Sequence, residues 1–334
     1  MIGKNRLVAQ GITVSFLLIS CVTVPAAHAA VWYVNATSTA PNPDGKSWAT
    51  AYSTIRPAAD AAASGDEVWV VAGTYTGTDS MYPVVYLKPG LLLYGGFIGT
   101  ETKRDQRDWV ANVVIIDGEH KYWCITAATY TSGVDGVKIC KGRGYYGAGM
   151  IGGTAKNCTF EYNVAYSGGG MYDGIAINCT FYKNRANYGA GIGGVSAVNC
   201  AFTENEAYDN GGGALVDTAD RCTFSRNRAG GYGGGLCADM ATNCTFDENN
   251  ASWGGGMSSG QAGNCLFFRN TASTGGGLHD CKATNCTITQ NLAGSGGGMS
   301  RGTAVNCIVW GNNADETGDT MVSYSCLSVP TAGE

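Results

Sequence analysis

The sequence predicts an all-β fold, a right-handed parallel β-helix. It would be a single-stranded solenoid of about 21–22 residues per coil with a short N-terminal capping helix. Three observations carry this. Cysteines recur at Cys158, Cys179, Cys200, Cys222, Cys244, Cys265, Cys286 and Cys307, spaced 21, 21, 22, 22, 21, 21 and 21 residues apart, three of them within Asn-Cys-Thr-Phe and the rest in close variants of it. Cys and Phe stand two apart, so both point to one face of a strand. Glycine makes up 51 of 334 residues and charged residues only 14%, a balance that suits turns and short strands rather than helices. Coils stacked at about 4.8 Å place each side chain over its counterpart, and parallel crossovers are overwhelmingly right-handed.

The elements follow in order. Residues 1–29 read as a signal peptide: Lys4 and Arg6, the apolar run Gly11 to Ile19, then Ala27-His28-Ala29 as a small-residue cleavage site. The alternative is a lipobox at Leu18-Ile19-Ser20-Cys21, with Cys21 lipidated. Ordinary cleavage is favoured because strand-like sequence resumes at Val31. The protein is therefore expected outside the cytoplasm, extracellular or at the cell surface in association with the outer membrane. No later apolar run reaches the length of a membrane span. Loss of the leader removes two basic residues and no acidic one, leaving 19 Lys+Arg against 26 Asp+Glu, a net of −7. With no basic block, the chain is a poor nucleic-acid binder.

Residues 30–118 form the cap and the first irregular coils. The Ala-rich stretch Thr54 to Ala63, bounded by Ser53 and Gly65, predicts the helix, with Pro57 tolerated in its first turn. Glu67 to Thr76, Val84 to Phe97 and Asn112 to Asp117 predict strands. Residues 119–314 form the regular coils, and 315–334 a tail that either covers the open end or leaves it to a partner.

Within the regular coils each column has a job. The aliphatic column is Met150, Met171, Ile192, Leu215, Leu236, Met257, Leu278 and Met299. The next runs from Phe160 to Phe267 and ends in Ile288 and Val309. Both are expected to fill the interior. An asparagine column, Asn163 to Asn312, fits a tight bend where each amide pairs with backbone and with the next Asn. Two places on, Ala165 to Ala314 marks a site too tight for larger side chains. Glycine triplets, such as Gly233 to Gly235, mark positive φ or close approach of coils.

Gly-Gly-aliphatic paired with Phe-x-x-Asn resembles the repeat of the chlamydial polymorphic outer membrane proteins and of secreted bacterial β-helix proteins of the pectin-lyase-like class. Trp32-Tyr33-Val34-Asn35, Gly65-Asp66-Glu67-Val68-Trp69-Val70 and Tyr94-Gly95-Gly96-Phe97 resemble the opening of that class. The resemblance spans about residues 31 to 314 and implies the fold. For function it implies a range: adhesins, polysaccharide lyases and glycosidases. Chlamydial members end in a membrane barrel; the 20 residues after Ala314 are too few for one.

No cofactor or metal is expected. Gly142 to Gly147 matches G-x-G-x-x-G but opens no βαβ unit. The cysteines lack paired metal-ligand spacing. They read as an apolar interior ladder or, alternatively, as bridged pairs between coils. Cys237 and Cys281 lie outside the ladder and are expected to be exposed or paired. Lys183, Glu204, Arg226, Glu248 and Arg269 alternate in sign and read as surface ion pairs that set register. Tyr166, Tyr188, Tyr208, Tyr232 and Trp253 form an aromatic column that either stacks on sugar rings or shields the bend.

The catalytic candidates follow the aliphatic column: Asp173, Asp217, Asp239 and Asp280, at nearly equivalent places, with His279, Lys282 and Arg301 near the last. Asp217 and Asp239, on adjacent coils, suit an acid/base pair for glycoside hydrolysis. His279, Asp280 and Arg301 suit proton abstraction in a lyase. Solvated turn residues explain the same aspartates. Because the columns are so uniform, the favoured reading is an exported, non-catalytic scaffold that is adhesive or binds a polysaccharide or cell-surface glycan. The alternative is a polysaccharide lyase or glycoside hydrolase.

Overall fold

A computed structural model describes residues 29–78, 81–313 and 315–327. The expected signal peptide, the Cys21 alternative and Ala314 of the alanine column lie outside the described residues, Ala29 apart. Among the described residues no helix is long and apolar enough to cross a membrane.

The molecule is a parallel β-helix of about twelve coils, as the twelve strands of its middle sheet show. One long sheet begins with Val31–Val34 on Glu67–Val71 and continues through Leu92–Phe97 and the seven-residue strands Ala214–Asp220, Leu236–Thr242 and Leu278–Thr284. The middle sheet stacks three-residue strands such as Thr159–Glu161, Thr180–Tyr182 and Ala201–Thr203. A third sheet of six strands runs from Arg185–Tyr188 to Leu292–Ser295. Helix α1 (Ile55–Ala61), two residues shorter than expected at its C-terminal end, closes the N-terminal opening by burying Ile55, Ala58 and Ala59 in the core.

The interior is built from repeated stacks. Phe160, Phe181, Phe202, Phe224, Phe246 and Phe267 are fully buried, and successive rings lie 4.5–4.9 Å apart within 5° of parallel. Such pairs contribute about 0.5–1.5 kcal/mol each beyond burial.

The asparagine column is a continuous amide ladder. From Asn163 to Asn291, Nδ2 donates to Oδ1 of the Asn one coil on, as from Asn205 to Asn227 at 3.0 Å, and to the carbonyl of the interior Phe or, at Asn163, Ile one coil back, as from Asn227 to Phe202 at 2.9 Å. Oδ1 in turn accepts from the preceding coil's Asn backbone N–H and side chain, so every polar atom is satisfied. The ladder starts where the Gly142 N–H donates to Asn163 Oδ1 and ends where Asn312 Nδ2 donates to Glu316 Oε2.

The eight ladder cysteines are buried free thiols, which is the apolar-ladder reading. Each Sγ donates to the carbonyl two residues earlier, as from Cys200 to Val198 at 3.3 Å. Beyond Cys307 the place is taken by Ser325, whose hydroxyl accepts from the Cys307 N–H. Cys281 corrects the expectation made for it: it is 1% exposed and unpaired, with Sγ donating to the His279 carbonyl. Cys237 is half-buried and also free.

The aliphatic column needs one correction. Ile192 pairs with Ala214, and Ala214 with Leu236, so Ala214 points inward and Leu215 outward. Two coils carry an extra residue at the bend before the glycines, Ala207 to Asn210 and Ala229 to Tyr232, and this explains the two 22-residue spacings. The charge column behaves as expected. Lys183–Glu204 and Arg226–Glu204 at 3.4 Å, and Arg269–Glu248 at 3.3 Å, link neighbouring coils. A second ladder, Arg185–Glu206–Arg228, runs beside it.

Candidate functional site

Where the interior requires large aliphatics, the outer face of the long sheet carries small residues next to them. Gly193, Gly194, Val195, Leu215 and Cys237 line an open groove of about 520 Å³, with the buried Val216 and Ala238 at its base. Asp173, Asp217 and Asp239 line it, with Tyr172 and Tyr188 toward the glycine bend. Among the described residues lining it there is no Lys, Arg or His.

Asp217 and Asp239 are register-equivalent: Val216 pairs with Ala238 before them and Thr218 with Met240 after them. Both are exposed on adjacent coils. Asp280 is not in their column. It sits between the pairs Ser258–His279 and Gly260–Cys281, which places it over Ser259 and under Arg301. Asp173, Asp280 and Arg301 share a left-handed backbone at φ 52°, 55° and 59°. Asp173 reaches the groove and accepts a 2.7 Å hydrogen bond from Tyr130, a contact that raises the phenol's pKa.

His279 and Asp280 are neighbours on one coil and Arg301 lies opposite Asp280 on the next, near enough for both charges to act on the imidazole. His279 is 6% exposed and its ring lies 6.3 Å from Tyr232, while Asp280 and Arg301 are exposed and, among the described residues, share no ion pair. Burial holds the histidine pKa below its usual range; Asp280 opposes that shift and Arg301 adds to it. His279 Nδ1 and the Ser258 hydroxyl beside it are buried without a hydrogen-bond partner among the described residues. Neither residue lines the groove.

The aromatic residues divide. Tyr188, Tyr232 and Trp253 share one column, with Asn210 between the first two; Tyr232 and Trp253 stack at 4.8 Å. Tyr166 stands one place earlier and stacks on Tyr145 at 4.8 Å. Tyr208 lies in the bulge of the first 22-residue coil, 82% exposed. Only Tyr188 reaches the groove. Sequence reasoning missed Tyr172 and the glycine floor. The run Gly193-Gly194, directly after an interior aliphatic and facing Ala238 and Ser259 two and three coils away, was the available signal.

The profile of the Chlamydia polymorphic membrane protein repeat matches residues 221–239. No curated protein sequence matches the chain significantly. Among solved structures, pectate lyase Pel9A aligns with TM-score 0.48 and 15% identity, covering 89% of this chain and 78% of that one. The A-module of the Azotobacter vinelandii mannuronan C-5 epimerase AlgE6 aligns with TM-score 0.39 and 12% identity, covering 89% of this chain and all of that one. With its stacked coils and continuous amide ladder, the chain is a parallel β-helix whose repeats resemble those of the Chlamydia polymorphic membrane proteins.

Proposed function

We propose that the protein is an exported β-helix scaffold that binds a polysaccharide without turning it over, holding it along the outer face of the long sheet. The observation that carries this reading is the open groove: a small-residue floor, two tyrosine rings at one side and three carboxylates. Tyrosine faces take up the apolar faces of pyranose rings, and carboxylates accept hydrogen bonds from sugar hydroxyls. A lyase acting on a sugar acid needs a cation to neutralise the substrate carboxylate and a base beside it. Among the described residues the groove lining offers no Lys, Arg or His for these roles, and His279 lies buried outside it. Glycoside hydrolysis by Asp217 and Asp239 is the second reading, favoured by their equivalent places on adjacent coils.

Glycan-array binding combined with reducing-sugar release and absorbance at 235 nm separates these readings. Binding without product, weakened by Tyr188→Ala, is the expected result. Product formation abolished by Asp217→Ala or Asp239→Ala would establish the hydrolase instead.

A further inference from the structure

A second groove, of about 460 Å³, lies at the corner between the long and middle sheets, away from the aspartates. Its head is Trp109, 39% exposed, flanked by the exposed Val110 and Val113. Its far side is formed by Asn157 on one coil and by Asn178 and Thr180 on the next.

The tryptophan is held in place before any ligand arrives. The Arg107 guanidinium covers it at 4.7 Å from the ring centroid. That guanidinium is itself fixed by the Asp135 carboxylate at 2.8 Å and by the carbonyls of Gly95 and Asp135. Gly136, at φ +74°, leaves the room the indole needs: a Cβ there would come within 2.6 Å of Trp109 Cβ. The Asp108 carboxylate accepts from the Val110 and Ala111 N–H groups and fixes the turn. The indole N–H has no partner among the described residues, whereas those of Trp32, Trp48, Trp69 and Trp123 each have one.

The polar side of the groove is equally ordered. Asn157 Nδ2 donates to Asp135, Asn178 Nδ2 to Asn157, and Asn199 Nδ2 to Asn178. Each amide keeps a second N–H and a lone pair for a ligand. The amides repeat at the coil spacing of about 4.8 Å, a step comparable to one sugar residue. Charge at the site is internally balanced, with Lys138 on Glu161 at 2.7 Å and Asp135 on Arg107.

We infer that the Trp109 groove is a binding site for a neutral glycan, with a pyranose ring against the indole and its hydroxyls on the Asn157–Asn178 amides. A rigid aromatic wall beside preformed amides lowers the ordering cost of binding, and the volume falls within the usual range of ligand pockets. The site is separate from the one proposed above, and each can fail without the other.

Calorimetric titration of the purified protein with neutral hexasaccharides of β-1,4-linked glucose, mannose and xylose tests the inference. At least one is expected to bind, about tenfold more weakly after Trp109→Ala, with comparable loss after Thr180→Arg. The latter changes an exposed strand position and blocks the groove without touching the indole, so it decides the matter if Trp109→Ala fails to fold. Gly263→Ala, at a position that lines neither groove, is expected to leave this binding unchanged. No binding to any of the three, binding indifferent to both Trp109→Ala and Thr180→Arg, or binding lost only with Asp217→Ala would overturn it.

Discussion

The irregular N-terminal coils and the regular coils that follow solve the same stacking problem differently. In the regular coils one set of contacts is copied on every rung: a phenylalanine on a phenylalanine, an amide on an amide. Near the N-terminus each contact occurs once. Tyr33, Trp48, Trp69 and Phe97 form an aromatic cluster outside the main core, with Trp69 and Phe97 stacked at 4.7 Å. The Glu101 carboxylate gathers three backbone N–H groups of its own turn. Asp66 ties the first strand to the end of α1 through Ala30, Trp32 and Ala63. Copied contacts let a rung be repeated, whereas unique contacts decide where repetition starts and which surface loops, Trp109 among them, the stack can carry.

The sharpest way to break this comparison is to cut one rung of the ladder. Asn227→Ala removes the side-chain donor from the Phe202 carbonyl, leaves Asn249 Oδ1 only the backbone N–H of residue 227, and takes the acceptor from two Asn205 donors. A loss of about 3–5 kcal/mol is expected. In a stack held by nearest-neighbour contacts, differential scanning calorimetry should then show the coils on either side melting separately. Trp69→Ala, of similar cost by volume at about 3–5 kcal/mol, should loosen only the N-terminal coils, read as faster amide exchange confined to them.

A smaller effect contrasts two glycines of one coil. At Gly256 an added Cβ would meet Phe267 Cδ1 and the Gly277 carbonyl at 2.7 Å; at Gly263 it meets nothing nearer than 3.7 Å. Gly256→Ala should cost about 1–3 kcal/mol, and Gly263→Ala should be neutral to within about 0.5 kcal/mol in urea unfolding.

The smallest effect is pH-dependent and confined to the cap. Burial pushes the Asp66 pKa up, but hydrogen bonds from the Ala63 N–H, the Trp32 indole and the Ala30 N–H outweigh it and hold it below the usual aspartate value. The stabilisation is therefore fully present above about pH 4 and lost as the pH falls through the lowered value. Asp66→Asn should be less stable than wild type at pH 7, and the difference should shrink below about pH 4.

The repeating interior was legible because one residue type in one column has one physical cause. The Phe and Asn columns stand where the spacing put them. Leu215 was misread because its size suggested an interior place, whereas the backbone pairing with Ile192 and Leu236 assigns that place to Ala214. Tyr208 was grouped with Tyr188 because both precede glycines, but the bulge of the 22-residue coil moves it out. Asp280 was aligned with Asp239 although it stands two residues after Leu278, whereas Asp239 stands three after Leu236, so the unbroken register puts Cys281 in the place of Asp239. Of the site, the sequence showed Asp217 and Asp239 as neighbours. It hid the groove, because a floor is defined by missing side chains, and its glycines look like every other glycine of the repeat.

The asparagine ladder is also a polar array. Every amide-to-amide bond runs in the same sense along the axis, donor toward the C-terminal coils, so these bonds add head to tail and polarise one another. The donor end is met by a carboxylate, Glu316 on Asn312, much as an acidic group settles at the positive end of a helix. Assembly therefore has a direction: each finished rung offers a dangling N–H to the rung made after it, in the order in which a ribosome delivers them.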